Sequence, residues 1–159
     1  MMNIRLFFYL LLLFCGVSVK GNMVNATFDK LAFYNAMSSG NLEVVNNQLN
    51  LVRSAAIPEQ EAYEGALLMK KAGMAGKPKD KLSFFKSGRS KLDAAIKKGG
   101  SAEFNFLRLI IQEHAPKALN YNSDIDTDIA AIRTAYKTLP QVVQQAVSDY
   151  SKKSKALKL

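Results

Sequence analysis

Cysteine, histidine and proline are all scarce in this 159-residue chain, which has one, one and four of them, and only one long apolar run is present. Each scarcity excludes something. The cysteine, Cys15, lies inside the run "LFFYLLLLFCGV" (6–17), which follows the charged opening "MMNIR" and precedes the small and polar "SVKGN". About a dozen apolar residues in that setting read as a secretory signal peptide and fall short of the ~20 that a membrane span needs. Residues 1–21 are expected to be removed, with Ser18 or Gly21 as the small residue before the cut. A lipoprotein signal wants a small residue ahead of its cysteine; Phe14 stands there, which argues against lipidation. The protein is therefore expected outside the cytoplasm, in the periplasm or extracellular space of a bacterial host. Residues 22–159 then form one domain without a cysteine, and no disulfide can staple it in an oxidising compartment.

With one histidine and no cysteine in that domain, catalytic sets are hard to assemble. A general base needs a group that orients it and a nucleophile within reach. His114 has neither in sequence, and no serine sits in a recognisable nucleophile turn. A single histidine also makes a poor start for a zinc site. His114 is expected simply to end its helix, where a positive charge suits the dipole. Asp124, Asp126 and Asp128 mimic the start of a calcium loop, but the sixth position is Ile129 where glycine is required, and the twelfth is Ala135 where glutamate closes the cage. They read instead as charges at a helix N-terminus. No enzymatic activity, cofactor or metal is expected.

Acidic residues are outnumbered, 13 against 22 basic ones. Removing residues 1–21, which carry Arg5 and Lys20 and no acid, leaves a net charge of +7. Ten Lys/Arg fall within residues 70–98 against Asp80 and Asp93, and the tail "SKKSKALKL" (151–159) adds four lysines. Export makes nucleic acid an improbable partner for this charge. An anionic envelope component, an acidic protein or the surface of an anionic membrane fits better. Whether the tail is ordered stays open.

Strand-like alternation of apolar and polar residues is also missing. Apolar residues recur at three and four, and the breaks are helix punctuation. Seven helices are predicted, in antiparallel hairpins forming an irregular bundle or a short repeat-like stack. Thr27 caps the first; Gly40 makes a left-handed turn before Asn41 caps the second. Pro58 opens the third, and "GMAGKP" (73–78) separates it from the fourth. Ser101 caps the fifth, which Pro116 must kink or end; Ser123 opens the sixth and Pro140 the seventh. Gly65 and Gly88 sit mid-helix at a cost of about 1 kcal/mol each against alanine, so close helix approach is expected there.

Three segments, "AYEGALLMKKAG", "KLSFFKSGRSKLDAAI" and "FLRLIIQEHAPKAL", together resemble a family of small exported bacterial proteins. The likeness spans roughly residues 60–130. It implies export and an all-helical fold, and carries no assigned activity.

The fifth helix, in "EFNFLRLIIQEHAPKALNY" (103–121), raises the sharpest question. On a wheel of about 100° per residue, Asn105 and Gln112 fall within about 60° of Arg108, and apolar residues fill nearly all the rest. In the fourth helix Arg89 interrupts an expected inward stripe of Leu82, Phe85, Leu92 and Ile96. An arginine cannot shed its charge, so each needs a carboxylate or a solvated groove. Glu61, Glu64 and Asp128 are the acids on offer. One reading is an interhelical ion-pair network; another is a pocket in which Arg89 and Arg108 hold an anionic ligand, oriented by Glu64, Asn105 and Gln112. In a third, Arg89 reaches the surface along its aliphatic stem. The leading functional expectation is an exported, non-catalytic helical interaction module for a protein or envelope component. The alternatives are an anionic-ligand binder at the arginine strip and peripheral membrane association through the basic band.

Overall fold

A computed structural model of the protein describes residues 28–159. The expected signal peptide and the Thr27 cap lie outside them. Seven α-helices, and no strand, are found among the described residues: α1 (Lys30–Ser38), α2 (Leu42–Ser54), α3 (Gln60–Met74), α4 (Pro78–Lys97), α5 (Ala102–Gln112), α6 (Ile125–Ala135) and α7 (Gln141–Ser151). Short 3-10 turns follow α5 at Lys117–Leu119 and α6 at Tyr136–Thr138.

The sparse prolines stand at four junctions. Pro78 occupies the first turn of α4 and Pro140 is the cap of α7, while Pro58 and Pro116 lie in the connections ahead of α3 and the first 3-10 turn. Proline has no N–H to lose at a helix start, and its fixed φ suits one. Asn41 caps α2 as predicted, its side chain accepting from Glu43 N–H at 2.8 Å. Asp29 caps α1, accepting from Leu31 N–H. Gly40 does not take the left-handed conformation; Ser39 leaves α1 extended, and the chain turns without a positive φ. Positive φ falls instead at Gly99, just beyond α4, and at Asn120 after the first 3-10 turn.

Helix α3 is the centre of the molecule and packs against α1, α2, α4 and α5. Its small and apolar residues Ala62, Ala66, Leu67, Leu68 and Met69 are buried on nearly every side. The most extensive pairing is with α4, and it is antiparallel: Lys98 reaches Glu61 at one end, and Lys71 lies over the Phe84 ring near the other. Between them the backbones meet at Gly65 and Gly88. A Cβ on Gly65 would stand 2.7 Å from the Leu92 amide nitrogen and 2.8 Å from the Gly88 carbonyl oxygen. Close approach is why these positions lack side chains. Helices α5 and α6 pair antiparallel as well, through polar groups described below, and α7 closes the bundle over α5 with Tyr150 edge-on to Phe106.

Residues 151–159 are ordered and folded back. Leu157 is fully buried, and the Lys158 carbonyl accepts from the Arg133 guanidinium on α6. Among the described residues no helix is long and apolar enough to cross a membrane.

Candidate functional site

The polar strip of α5 closes on α6. Arg108 donates from Nε and Nη2 to the two carboxylate oxygens of Asp128, at 2.9 and 2.7 Å. Asn105 donates to the same carboxylate at 2.7 Å, and Gln112 reaches Asp124 at 3.4 Å. Asp128 is wholly buried and the Arg108 side chain is 11% exposed. Burial alone would lower the Arg108 pKa, but the bonds and charge of Asp128, with Asp124 at 3.8 Å, outweigh it and raise the pKa. A two-bond fork on a buried carboxylate leaves little of the guanidinium for a ligand. The strip is an interhelical ion-pair network.

Two residues assigned to that strip lie elsewhere. Arg89 is exposed, stacks over the Tyr121 ring at 4.8 Å and pairs with Asp93 one turn along α4. The cause is the Gly65–Gly88 crossing: it turns Gly88 and Leu92 toward α3, and Arg89, about 100° further round, leaves sideways. The expected inward stripe is thereby shortened. Phe85 and Leu92 are buried, Ile96 is half-buried, and Leu82 is exposed. Glu64 serves neither arginine. It takes Arg53 of α2 at 2.9 Å and Lys91 of α4 at 3.0 Å, tying both helices to α3, and these bonds hold its carboxyl below the usual range despite burial. Arg89 and Arg108 still share a neighbour, because Tyr121 lies between them and donates its phenol to Asp93 at 2.8 Å.

Two carboxylates that sequence reading passed over hold much of the bundle. Glu103, buried in the first turn of α5, accepts from Tyr34 on α1 at 2.9 Å, from Tyr63 on α3 at 2.8 Å and from Lys30 at 2.9 Å. Burial and the Glu103 charge both push the two phenols well above their ordinary pKa. Glu113, just past α5, accepts from Tyr150 and Ser154 hydroxyls at 2.7 and 2.6 Å and from the backbone N–H groups of Lys155 and Ala156. Partial burial would raise its pKa, but these bonds win and lower it. An acid in a first helical turn and one near a helix end look ordinary in sequence. Their partners, 37 or more residues away, gave no signal.

Among the described residues a cleft of about 930 Å³ opens beside α3. Leu31 and Met37 of α1 form one wall, Met69 and Ala72 of α3 the floor, and Leu82 and Phe85 of α4 the opposite wall. The end of α5, the turn that follows it, and Val142, Ala146 and Tyr150 of α7 complete it. Leu31 is 56% and Leu82 44% exposed, so the cleft carries apolar surface out to its rim. Lys70, Lys81 and Lys153 stand on its lining. Burial, with the nearby charge of Lys153, pushes the Lys70 ammonium below its ordinary pKa. His114 borders the cleft too, its Nδ1 2.8 Å from the Ile110 carbonyl oxygen. A carbonyl only accepts, so that nitrogen carries the proton and the ring is held one turn back along its own chain.

Among the described residues no three of His, Cys, Asp and Glu are grouped so as to hold a metal ion. Compared with protein families, curated proteins and solved structures, the chain matches none.

Proposed function

We propose that this protein is an exported, non-catalytic helical binding module that receives the apolar part of an envelope component in the cleft beside α3. The cleft itself carries the reading. Its volume falls within the ~300–1,000 Å³ usual for small-molecule sites, and its walls are mainly apolar with a few charged groups at the edge. Exposed leucines converging on one concavity are what a site for an apolar ligand needs, and a scattered few would mean nothing. The non-catalytic part is supported by how the polar groups are used: the Tyr34 and Tyr150 hydroxyls donate hydrogen bonds to Glu103 and Glu113, and His114 Nδ1 donates to a backbone carbonyl. Among the described residues no carboxylate is hydrogen-bonded to the His114 ring to orient it as a base. The apolar run at residues 6–17, between a charged opening and small polar residues, supports the envelope setting. A ligand at the arginine strip is disfavoured, since Asp128 already occupies Arg108.

The test is titration of the purified protein with Nile red, a neutral apolar dye whose fluorescence rises out of water. Saturable binding of one dye per protein is expected. Ala146→Phe, which fills the cleft from a half-buried position on α7, should abolish it with the circular dichroism spectrum and melting temperature retained. Undiminished binding by a folded Ala146→Phe protein would refute the reading, and so would failure of the wild type to bind.

A further inference from the structure

We propose that the natural occupant of the cleft is a long-chain fatty acid, its carboxylate at Lys70 and Lys153 and its chain along the apolar floor. This assignment rests on the reading of the cleft as a binding site and names the class of ligand.

Charge is the first ground. Three lysines, Lys70, Lys81 and Lys153, line the cleft, and among the described residues no carboxylate lies within 4 Å of any of their ammonium groups. The one acid on the lining, Asp149, is already taken by Lys152 at 2.6 Å and by Gln145 at 2.8 Å. Lys30, Arg53, Lys91 and Arg108, at helix interfaces, each hold an acid. Three lysines against one engaged carboxylate give the cleft lining a net positive charge, complementary to an anion.

The second ground is where a polar ligand group can be satisfied. Several polar groups of the lining are already engaged, as the Tyr34 phenol donates to the buried Glu103, the Tyr150 phenol to the half-buried Glu113 and His114 Nδ1 to Ile110. A ligand with hydroxyl or amide groups along its length would find few partners for them against the apolar floor. One with a single charged end and a plain hydrocarbon body has none to satisfy there. Lys70 on α3 and Lys153 just after α7 both stand on the lining, and burial, with the charge of Lys153, disfavours the charged form of the half-buried Lys70. An anion between them offsets both costs, and a carboxylate adds charge-assisted hydrogen bonds.

The third ground is the texture of the wall. Met37, Met69 and Met74 all line it. Thioether side chains are unbranched and adapt to a flexible partner better than branched ones do, which suits an alkyl chain with many rotamers.

Displacement of Nile red by dodecanoate and by dodecan-1-ol decides the matter, because the two share a chain and differ in the head. Dodecanoate is expected to displace the dye at about a tenfold lower concentration or less, as charge-assisted bonds to lysine require. In Lys70→Met/Lys153→Met that preference should vanish while the dye and the alcohol still bind. Lys79→Met, exposed on α4 and off the lining, should keep it. Lengthening the acid from dodecanoate to tetradecanoate should tighten binding by up to about 15-fold. Equal displacement by acid and alcohol, or a preference untouched in the double variant, overturns the headgroup assignment and leaves the cleft reading standing. No gain with chain length overturns the placement of the chain. Failure of the dye to bind wild type overturns both.

Discussion

Replacing Arg108 with methionine tests the central claim about α5, that its polar strip is architecture. Methionine keeps most of the aliphatic stem, so packing against neighbours changes little. What changes is Asp128. That residue is wholly buried and holds two bonds from Arg108 and one from Asn105, at 2.9, 2.7 and 2.7 Å. After the substitution only the Asn105 bond remains, and a charged oxygen is left in the interior. Each lost charge-assisted bond is worth about 1.5–3 kcal/mol, and breaking a buried pair from one side costs about 3–5 kcal/mol. Against a typical total stability of about 5–15 kcal/mol this is severe. Urea unfolding at neutral pH, followed by far-ultraviolet circular dichroism, measures it directly, with an unchanged slope confirming that the denatured state has not been altered. Arg108→Met/Asp128→Leu removes both charges and is expected to recover most of the loss, because the pair repays its desolvation only when complete. A loss below about 1 kcal/mol in Arg108→Met would refute the reasoning: the guanidinium would then be held at a cost to folding, as residues kept for binding are.

Gly65→Ala should destabilise the protein by about 1–3 kcal/mol in the same assay, since the new methyl meets Leu92 and Gly88 backbone atoms that cannot turn aside. Gly73→Ala, in the same helix with nothing within 4 Å of its Cβ position, should be neutral or stabilising by up to about 1 kcal/mol, and a reversed order would contradict the α3–α4 crossing. Glu113→Ala should release residues 151–159, read as faster tryptic cleavage after Lys153 and Lys155; cleavage at the wild-type rate would mean that Glu113 does not hold the tail. In the wild type the depressed Glu113 pKa makes docking complete above the ordinary carboxylate value of about 4.3 and weaker as pH falls through the lower folded value. Protection of the Ala156 and Leu157 amides from hydrogen exchange, corrected for intrinsic rates, should fall over that acid range and not between pH 6 and 8.

How far sequence reaches into such a fold depends on the range of the interaction. Helix existence is local: prolines stand at the openings of α4 and α7, Asn41 holds α2, and the three-and-four spacing extends through all seven helices. The identity of the mid-helix glycines was legible too, because a residue that costs helix stability must be repaid by proximity. The α5 strip was half legible. Its wheel put Asn105, Arg108 and Gln112 on one line, and Asp128 was among the acids available to it, but no periodicity chooses between Asp128 and Glu64. Arg89 shows where the wheel misleads. An apolar stripe marks a face, while the line of closest approach within that face is set by the Gly65–Gly88 contact, and a residue beside that line points out.

Glu103, Glu113 and the cleft were illegible for a different reason. A buried carboxylate is recognisable only by its donors, and those of Glu103 come from α1 and α3, 40 to 73 residues away in the chain. A cleft is emptier still as a signal, being the space that five helices fail to fill. Leu31, Leu82 and Ile110 each look like core in their own helices, and only assembly shows that the first two have nothing against them. The lysines sharpen the point. Basic residues crowd the band 70–98, and their number alone suggested a charged surface. The structure divides them: Lys91 and Lys98 are consumed by Glu64 and Glu61, whereas Lys70 and Lys81 face the cleft without an acid among the described residues. A chain that engages Arg108, Glu103 and Glu113 so fully nevertheless brings Lys70, Lys81 and Lys153, none paired with an acid among the described residues, to the same cleft as the exposed Leu31 and Leu82. That coincidence, rather than any single residue, is what the displacement of a neutral dye by an acid and its alcohol puts to the test.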